Sequence, residues 1–245
     1  MESGPGAGRA DCPPITQAQA LSEWLQGPRS RALRRAGIGL RDRVLEVGAG
    51  HCVVTPELQR RARGHVVAVD IAPEPFISSL PPDVPGVCAD AVLLPFVTGS
   101  FDLVFAQNTL LWVPDTTAAV AEAARVLAPG GALVAVEPDY GGMMEHPDLG
   151  LRAVWLDALA RSGAEPRIGR KLPGICEATG LDVWVELAHI PQVAEAEAVG
   201  LLEGLDLTPS ERQSVTDAHS SIASTRHTWA VFLHVPYFLV VGQRR

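Results

Sequence analysis

The sequence predicts an α/β fold: a mostly parallel sheet with helices on both faces. Three observations carry that expectation. Short apolar runs alternate with stretches of helical pattern: RVLEV at 43–47, HVVAV at 65–69, FDLVFA at 101–106 and ALVAV at 132–136. These runs are apolar almost throughout, as strands buried on both faces are. A glycine-bearing bend, Gly48-Ala49-Gly50, separates the first run from the helix after it. The 245 residues, 47% hydrophobic and 20% charged, suit one large domain against a usual size of roughly 100–200 residues.

Residues 1–14, MESGPGAGRADCPP, hold no hydrophobic stretch and read as a flexible tail without a secretory signal. The single domain is expected over 15–245. Ile15 to Leu25 reads as one helix and the Arg-rich segment from Pro28 to Ala36 as a second, together an N-terminal cap over 15–40. Arg43–Val47 is the first strand. Thr55-Pro56-Glu57 reads as a cap residue, a proline at the first helical position and an acid, a good helix start; that helix ends near Gly64. His65–Val69 is the second strand, closed by Asp70, Val87–Ala89 the third and Phe101–Ala106 the fourth. Asp115 caps a helix over Thr116–Leu127, which Pro129-Gly130-Gly131 stops, and Ala132–Val136 is the fifth strand. Asp182–Leu187 and Tyr237–Val241 look like two more. Residues 140–173 read as an irregular stretch and Glu195 to Ala230 as mostly helical. Insertions at 140–173 and 190–232 are expected to wall a substrate pocket.

The formal charge of -8 argues against nucleic acid, whose phosphates need clustered cations, and suits a neutral or cationic small acceptor. Lys171 is the only lysine. Cys12, Cys52, Cys88 and Cys176 are far apart with no CxxC or Cys/His spacing, so no metal site is expected, and the thiols read as reduced, in a cytoplasmic protein. No apolar run approaches the roughly 18 residues of a membrane span, and no membrane partner is expected. The sequence carries no signal of oligomeric state.

The strongest motif is Glu46-Val47-Gly48-Ala49-Gly50-His51-Cys52, between strand and helix. Glycines there let the backbone turn tightly and approach a ligand. Asp70, at the tip of the next strand, can accept from both hydroxyls of a ribose. A dinucleotide loop would read GxGxxG, but the sixth position is Val53. A ligand with adenosine and no pyrophosphate therefore fits better, against the alternative of a tight turn with no ligand. Asp90-Ala91 follows the third strand; either Asp90 accepts from an adenine amino group, or it caps a turn. Gln107 and Asn108 end the fourth strand, where open α/β sheets bind ligands, although Asn108 equally suits a turn. His51 and Cys52 are not read as a metal or nucleophile pair.

The segments VLEVGAG, AVDIAP, CADAVLLPFVTGSFDLVFAQNTLLWV and ARVLAPGGALVAVEPD come in order. With them the chain resembles the class I S-adenosylmethionine (SAM)-dependent methyltransferases of the methyltransferase 11/25 type, closely over Arg43 to Asp139. The resemblance implies a Rossmann-like, seven-stranded sheet with an antiparallel last strand, Tyr237–Val241, forming a hairpin with Asp182–Leu187. It implies SAM as cofactor and S-adenosylhomocysteine as product. Glu46, Gly48, Ala49 and Gly50 would line the methionine part, Asp70 would hold the ribose and Ile71 would pack on adenine. Asp90 and Ala91 would read the adenine edge, and Gln107, with Asn108 beside it, would meet the methionine amino group through its backbone. Cys52 stands where the family often has a third glycine, and His51 where it often has Thr.

SAM brings an activated methyl, so the protein mainly aligns the nucleophile and excludes water; an alcohol or carbon acceptor also needs a base. Base candidates lie in Glu137-Pro138-Asp139-Tyr140-Gly141-Gly142-Met143-Met144-Glu145-His146. His146 suits proton transfer near neutrality, and Asp139 and Tyr140 follow a strand end. Each also has an ordinary reading, a surface histidine or a turn residue. Met143 and Met144 offer an apolar wall or core; Trp24, His227 and Trp229 are further candidates to cover the pocket. The expected activity is methyl transfer to nitrogen or oxygen, with carbon open, on a small molecule or short peptide in natural-product tailoring. The alternatives are a degenerate SAM-binding protein without turnover and an NAD-dependent oxidoreductase; the latter lacks a Tyr-x-x-x-Lys.

Overall fold

The computed structural model describes residues 13–188, 192–193, 201–224 and 230–245. The cap comes first, as α1 (Ile15–Trp24) and α2 (Gln26–Arg35), joined at Leu25. Strand β1 (Arg43–Val47) leads into α3 (Thr55–Arg61), β2 (His65–Asp70), α4 (Pro73–Ser79), β3 (Gly86–Cys88) and β4 (Phe101–Gln107). Helix α5 (Thr116–Val126) and β5 (Leu127–Pro138) complete the parallel part. After them come β6 (Met144–His146), α6 (Leu151–Arg161), α7 (Ile168–Ala178) and β7 (Leu181–Ala188). Then follow β8 (Gln192–Val193), α8 (Pro209–Ser224), β9 (Phe232–His234) and β10 (Tyr237–Arg244).

The seven-stranded sheet runs β3-β2-β1-β4-β5-β10-β7. Strands β1 to β5 pair in parallel, and β10 is antiparallel to both β5 and β7, as the resemblance implies. Alternate residues of each strand feed opposite layers. On β5, Leu133 and Ala135 join the layer under α5, α6 and α7, while Ala132, Val134 and Val136 join the layer under the cap and α3. Leu25, Leu33 and Leu58 in that second layer have no exposed surface; each such side chain contributes roughly 1.5–3 kcal/mol of burial free energy. Helix α5 forms because Asp115 accepts from the Ala118 N–H at 2.9 Å and because Ala119, Val120, Ala123 and Val126 fall on one buried face.

Three readings of the sequence need correcting. Residues 140–173 are not irregular: β6, α6 and the first half of α7 lie there. The prolines and glycines of this stretch are accommodated. Pro173 sits inside α7, and Gly169 lets that helix approach the sheet, since a Cβ there would lie 2.9 Å from the Pro138 carbonyl oxygen. Thr55 is the first residue of α3 rather than its cap, and Val54 occupies the cap position. Strand β5 starts at Leu127, before the expected stop, with Phe101 opposite Leu127 and Leu103 opposite Ala132. Pro129-Gly130-Gly131 is thus an irregularity within the pairing. A second sheet, β6-β9-β8, frames the 140s. Of the expected helical span from Glu195 to Ala230, α8 lies among the described residues, whereas His227 and Trp229 lie outside them.

Candidate cofactor site

The site stands at the carboxyl ends of β1, β2, β4 and β5. Beyond β1 the chain turns at once: the Gly48 and Ala49 N–H groups donate to the Val69 carbonyl at 2.8 and 3.1 Å. Gly48 has φ +73° and Gly50 φ +50°, the left-handed region in which a Cβ is costly. A Cβ on Gly48 would lie 2.2 Å from the side chain of Thr109. The residue filling that space comes from the chain itself, one strand away. Cys52 also has φ +53°, so the position where the family often carries glycine keeps a glycine conformation. Its side chain is buried beside Ala49 and Phe76, and burial pushes the thiol up to about 11.

Asp70 ties this loop to β2. Its Oδ2 accepts from the Gly50 N–H at 2.8 Å and its Oδ1 from the Ala72 N–H at 2.9 Å. Each oxygen keeps a lone pair for a further donor. Ile71 beside it is 37% exposed, an open apolar face. Asp90 makes the turn bond, its Oδ1 accepting from the Val92 N–H at 3.1 Å, and Ala91 is buried. Asn108 has φ +52° and donates its N–H to the Val136 carbonyl at 3.1 Å.

Two buried carboxyls flank the centre. Glu46 on β1 is 3% exposed and Glu137 on β5 has no exposed surface. One oxygen of each, Oε2, has no hydrogen-bond partner among the described residues, and neither has the neighbouring Thr55 hydroxyl. Burial pushes Glu46 up to about 7, partly opposed by Thr55 and Arg29 and reinforced by Asp70. Burial does the same to Glu137, also to about 7, against the N–H groups of Leu110, Thr109 and Leu111. Unsatisfied buried oxygens are rare in native proteins. Of these groups, Glu46 is the one that the resemblance sets against the methionine part of the cofactor.

The sequence reading missed Arg29 and Thr109. Arg29, in an Arg-rich helix that looks solvated, is 3% exposed. It donates to Glu57 Oε2 through Nε at 2.9 Å and Nη2 at 2.6 Å, and through Nη1 to the Ser22 carbonyl and Gln107 Oε1, both at 3.0 Å. It pins the cap to the end of β4. Only the Arg-to-acid pairing across 28 residues would have signalled it, and no spacing rule covers that.

The catalytic candidates divide. Asp139 is 2% exposed and committed: Oδ1 accepts from the Gly141 N–H at 3.0 Å and Oδ2 from Arg170. Tyr140 stacks on Trp155 at 4.7 Å, and burial, reinforced by Glu137, holds its phenol protonated well above the usual range. His146 is exposed on β6 and stacks on Phe232 at 5.9 Å. Asp139 and Tyr140 thus lie with Glu137 at the end of β5, while His146 belongs to the smaller sheet. Met143 is buried and Met144 is 52% exposed. Trp24 meets Tyr237 edge-on at 5.2 Å, and its Nε1 is buried without a partner among the described residues. No group of three or more His, Cys, Asp or Glu there could hold a metal ion.

A family model described as a methyltransferase domain matches residues 45–135. Over this stretch the chain is similar to methyltransferase domains. Among curated relatives, the demethylmenaquinone methyltransferase of Mycobacterium sp. (strain KMS) is 43% identical over 101 residues, 41% of this chain and 44% of that protein. The malonyl-[acyl-carrier protein] O-methyltransferase of Halorhodospira halophila (strain DSM 244 / SL1) is 36% identical over 135 residues, 52% of this chain and 42% of that one. The chain therefore spans less than half the length of these curated relatives. Among solved structures, a Haemonchus contortus phosphoethanolamine N-methyltransferase 2, in complex with phosphomonomethylethanolamine and S-adenosylhomocysteine, aligns with TM-score 0.61 at 16% identity. It covers 96% of this chain and 59% of that one. The matched stretch contains the glycine bend, Asp70, Asp90 and Gln107. The cap helices, Glu137 and everything after it lie outside the matched stretch.

Proposed function

We propose that the protein is a SAM-dependent methyltransferase acting on nitrogen or oxygen, or on carbon, of a small molecule or short peptide. The observation that carries this reading is the clamped glycine bend in a stretch similar to methyltransferase domains, lying beside a buried carboxyl oxygen of Glu46 that has no partner among the described residues. The residues present fit the cofactor. Glu46 offers an acceptor to the methionine amino group, the spare lone pairs of Asp70 suit two ribose hydroxyls, and Ile71 offers an apolar face to adenine. SAM, when bound, supplies a methyl already activated for in-line attack.

The chain's own work is to orient the acceptor and exclude water. The cap, held by Arg29, closes one side, and Tyr140 and Trp155 wall another. Asp139 is paired with Arg170 and Tyr140 is held protonated, so Tyr140 donates a hydrogen bond rather than accepting a proton. Proton removal falls to His146, and an amine acceptor attacking as its free base needs less help. The relatives' names point to a quinone ring in one case and a carrier-bound acyl group in the other; neither is transferred to this chain. The net charge of -8 favours neutral or cationic acceptors over nucleic acid. No helix among the described residues is long and apolar enough to cross a membrane. The natural-product setting and cytoplasmic location belong to the same proposal. A second reading, cofactor binding without turnover, is favoured by one observation: two of the three candidate bases are committed.

Calorimetry with S-adenosylhomocysteine and with NAD tests the cofactor, and only the former is expected to bind. Methyl transfer to a panel of amines, phenols, carboxylic acids and peptides then tests turnover, with His146→Ala expected to slow it at unchanged cofactor affinity. Binding without transfer to any acceptor class would favour the second reading. Heat with NAD and none with S-adenosylhomocysteine would defeat both.

A further inference from the structure

Glu137 has no exposed surface, yet it is wired to the cofactor loop. Its Oε1 accepts from the backbone N–H groups of Thr109 at 3.0 Å and Leu110 at 2.9 Å. The Thr109 hydroxyl in turn lies 3.2 Å from the Val47 carbonyl oxygen, 3.4 Å from that of Gly48 and 3.0 Å from that of Gln107. With one proton to donate, it is shared among three acceptors. The Thr109 side chain also fills the space that a Cβ on Gly48 would need. Thr109 is therefore a wedge between the ends of β1 and β4, and Glu137 grips its backbone from β5.

We propose that Glu137 is a positioning residue for the cofactor loop, acting through Thr109: as a carboxylate it holds the wedge in the conformation that binds the nucleoside, and as a neutral acid it lets the wedge slacken. This rests on the reading of the loop as a SAM site. Hydrogen bonds to an ionised acceptor are shorter and roughly twice as strong as those to a neutral one, so the grip changes with the charge. Burial places the change of charge near neutrality, since it pushes Glu137 up to about 7. The titratable and charged groups around Glu137 are Tyr140 in the turn after β5, Tyr237 on β10, Glu46 two strands away on β1, and the Asp139–Arg170 pair between the end of β5 and α7. Burial holds both tyrosines protonated through neutral pH. Glu46 titrates in the same range, so a wild-type pH profile alone does not isolate Glu137, whereas a ratio of variant to wild type does.

The test is calorimetric binding of S-adenosylhomocysteine to the full chain at pH 6 and pH 8, for wild type, Glu137→Gln and Thr109→Val, with thermal melts to establish folding. The product nucleoside lacks the sulfonium charge but keeps its ammonium group, whose attraction to Glu46 is common to wild type and variants and so drops out of their ratio. Wild-type affinity is expected to rise from pH 6 to pH 8. The Glu137→Gln dissociation constant is expected to match wild type at pH 6 and to exceed it by about tenfold at pH 8, one strong hydrogen bond's worth. Thr109→Val is expected to show the same growing ratio, and it decides the matter if Glu137→Gln does not fold. A ratio equal at both pH values, or Thr109→Val binding as wild type does at pH 8, overturns the proposal while leaving the SAM reading intact. No binding by wild type at either pH overturns both.

Discussion

Glu46 and Glu137 make stability depend on pH in a definite direction. Both carboxyls are raised, chiefly by burial, from the ordinary carboxylate range to about 7. The folded chain therefore binds their protons more tightly than the unfolded chain does. The stability this brings is fully present below the unfolded value and is lost as pH rises through 7. Each group accounts for roughly 3 kcal/mol at most. The urea midpoint is thus expected to fall between pH 5 and pH 8, and the fall to shrink in Glu46→Gln; a midpoint flat or rising across that window would contradict the burial described. At this scale much was legible. The glycine bend and Asp70 stand out because backbone freedom and a strand-tip acid leave a mark in the sequence. Thr109 and Glu137 did not, because their roles arise only when β4 lies between β1 and β5.

Among the elements, the cap shows the same contrast. An Arg-rich stretch was readable as a helix, but not as a helix with an arginine turned inward. Arg29 meets Glu57, which Arg61 also holds at 2.7 Å, so α1 and α2 are fixed to α3 and β4 by a buried ion network. Removing Arg29 leaves Glu57 with Arg61 alone and takes the donor from the Ser22 carbonyl and Gln107, so the cost is set at the low end of a broken buried pair, roughly 3 kcal/mol. Arg29→Met is accordingly expected to lower the melting temperature by about 10 °C, at 2–4 °C per kcal/mol for a chain of this size, and to weaken S-adenosylhomocysteine binding as Gln107 loses its partner. A melt within about 2 °C of wild type would show that the cap is held by its apolar face alone. Helix α7, which escaped the sequence reading, holds Gly169, Pro173 and Gly174 within it. Local propensity gave way to packing: Gly169 is there because α7 presses against the end of β5.

Over the whole molecule, the number of strands in the main sheet and its antiparallel last strand followed from the resemblance, and the strand positions from apolar runs; the strand order is a finding of the structure. What the chain adds beyond the matched stretch is the cap, tied to α3 and β4 by Arg29, the second small sheet, and Glu137, which holds the backbone of Thr109 and Leu110. The contacts that join the cap to α3 and β4 span tens of residues, 28 between Glu57 and Arg29 and 78 between Gln107 and Arg29, and periodicity within a segment does not record them. The central claim is that the bend at 48–50, clamped by Asp70, binds the nucleoside. The most direct measurement is calorimetric titration of wild type and Asp70→Ala with S-adenosylhomocysteine, with melts to show both folded. Losing the Asp70 bonds to the ribose and to Gly50 N–H is expected to weaken binding by at least tenfold, since each charged hydrogen bond contributes about 1.5–3 kcal/mol. An unchanged dissociation constant in the folded variant, or no binding by wild type, would contradict it.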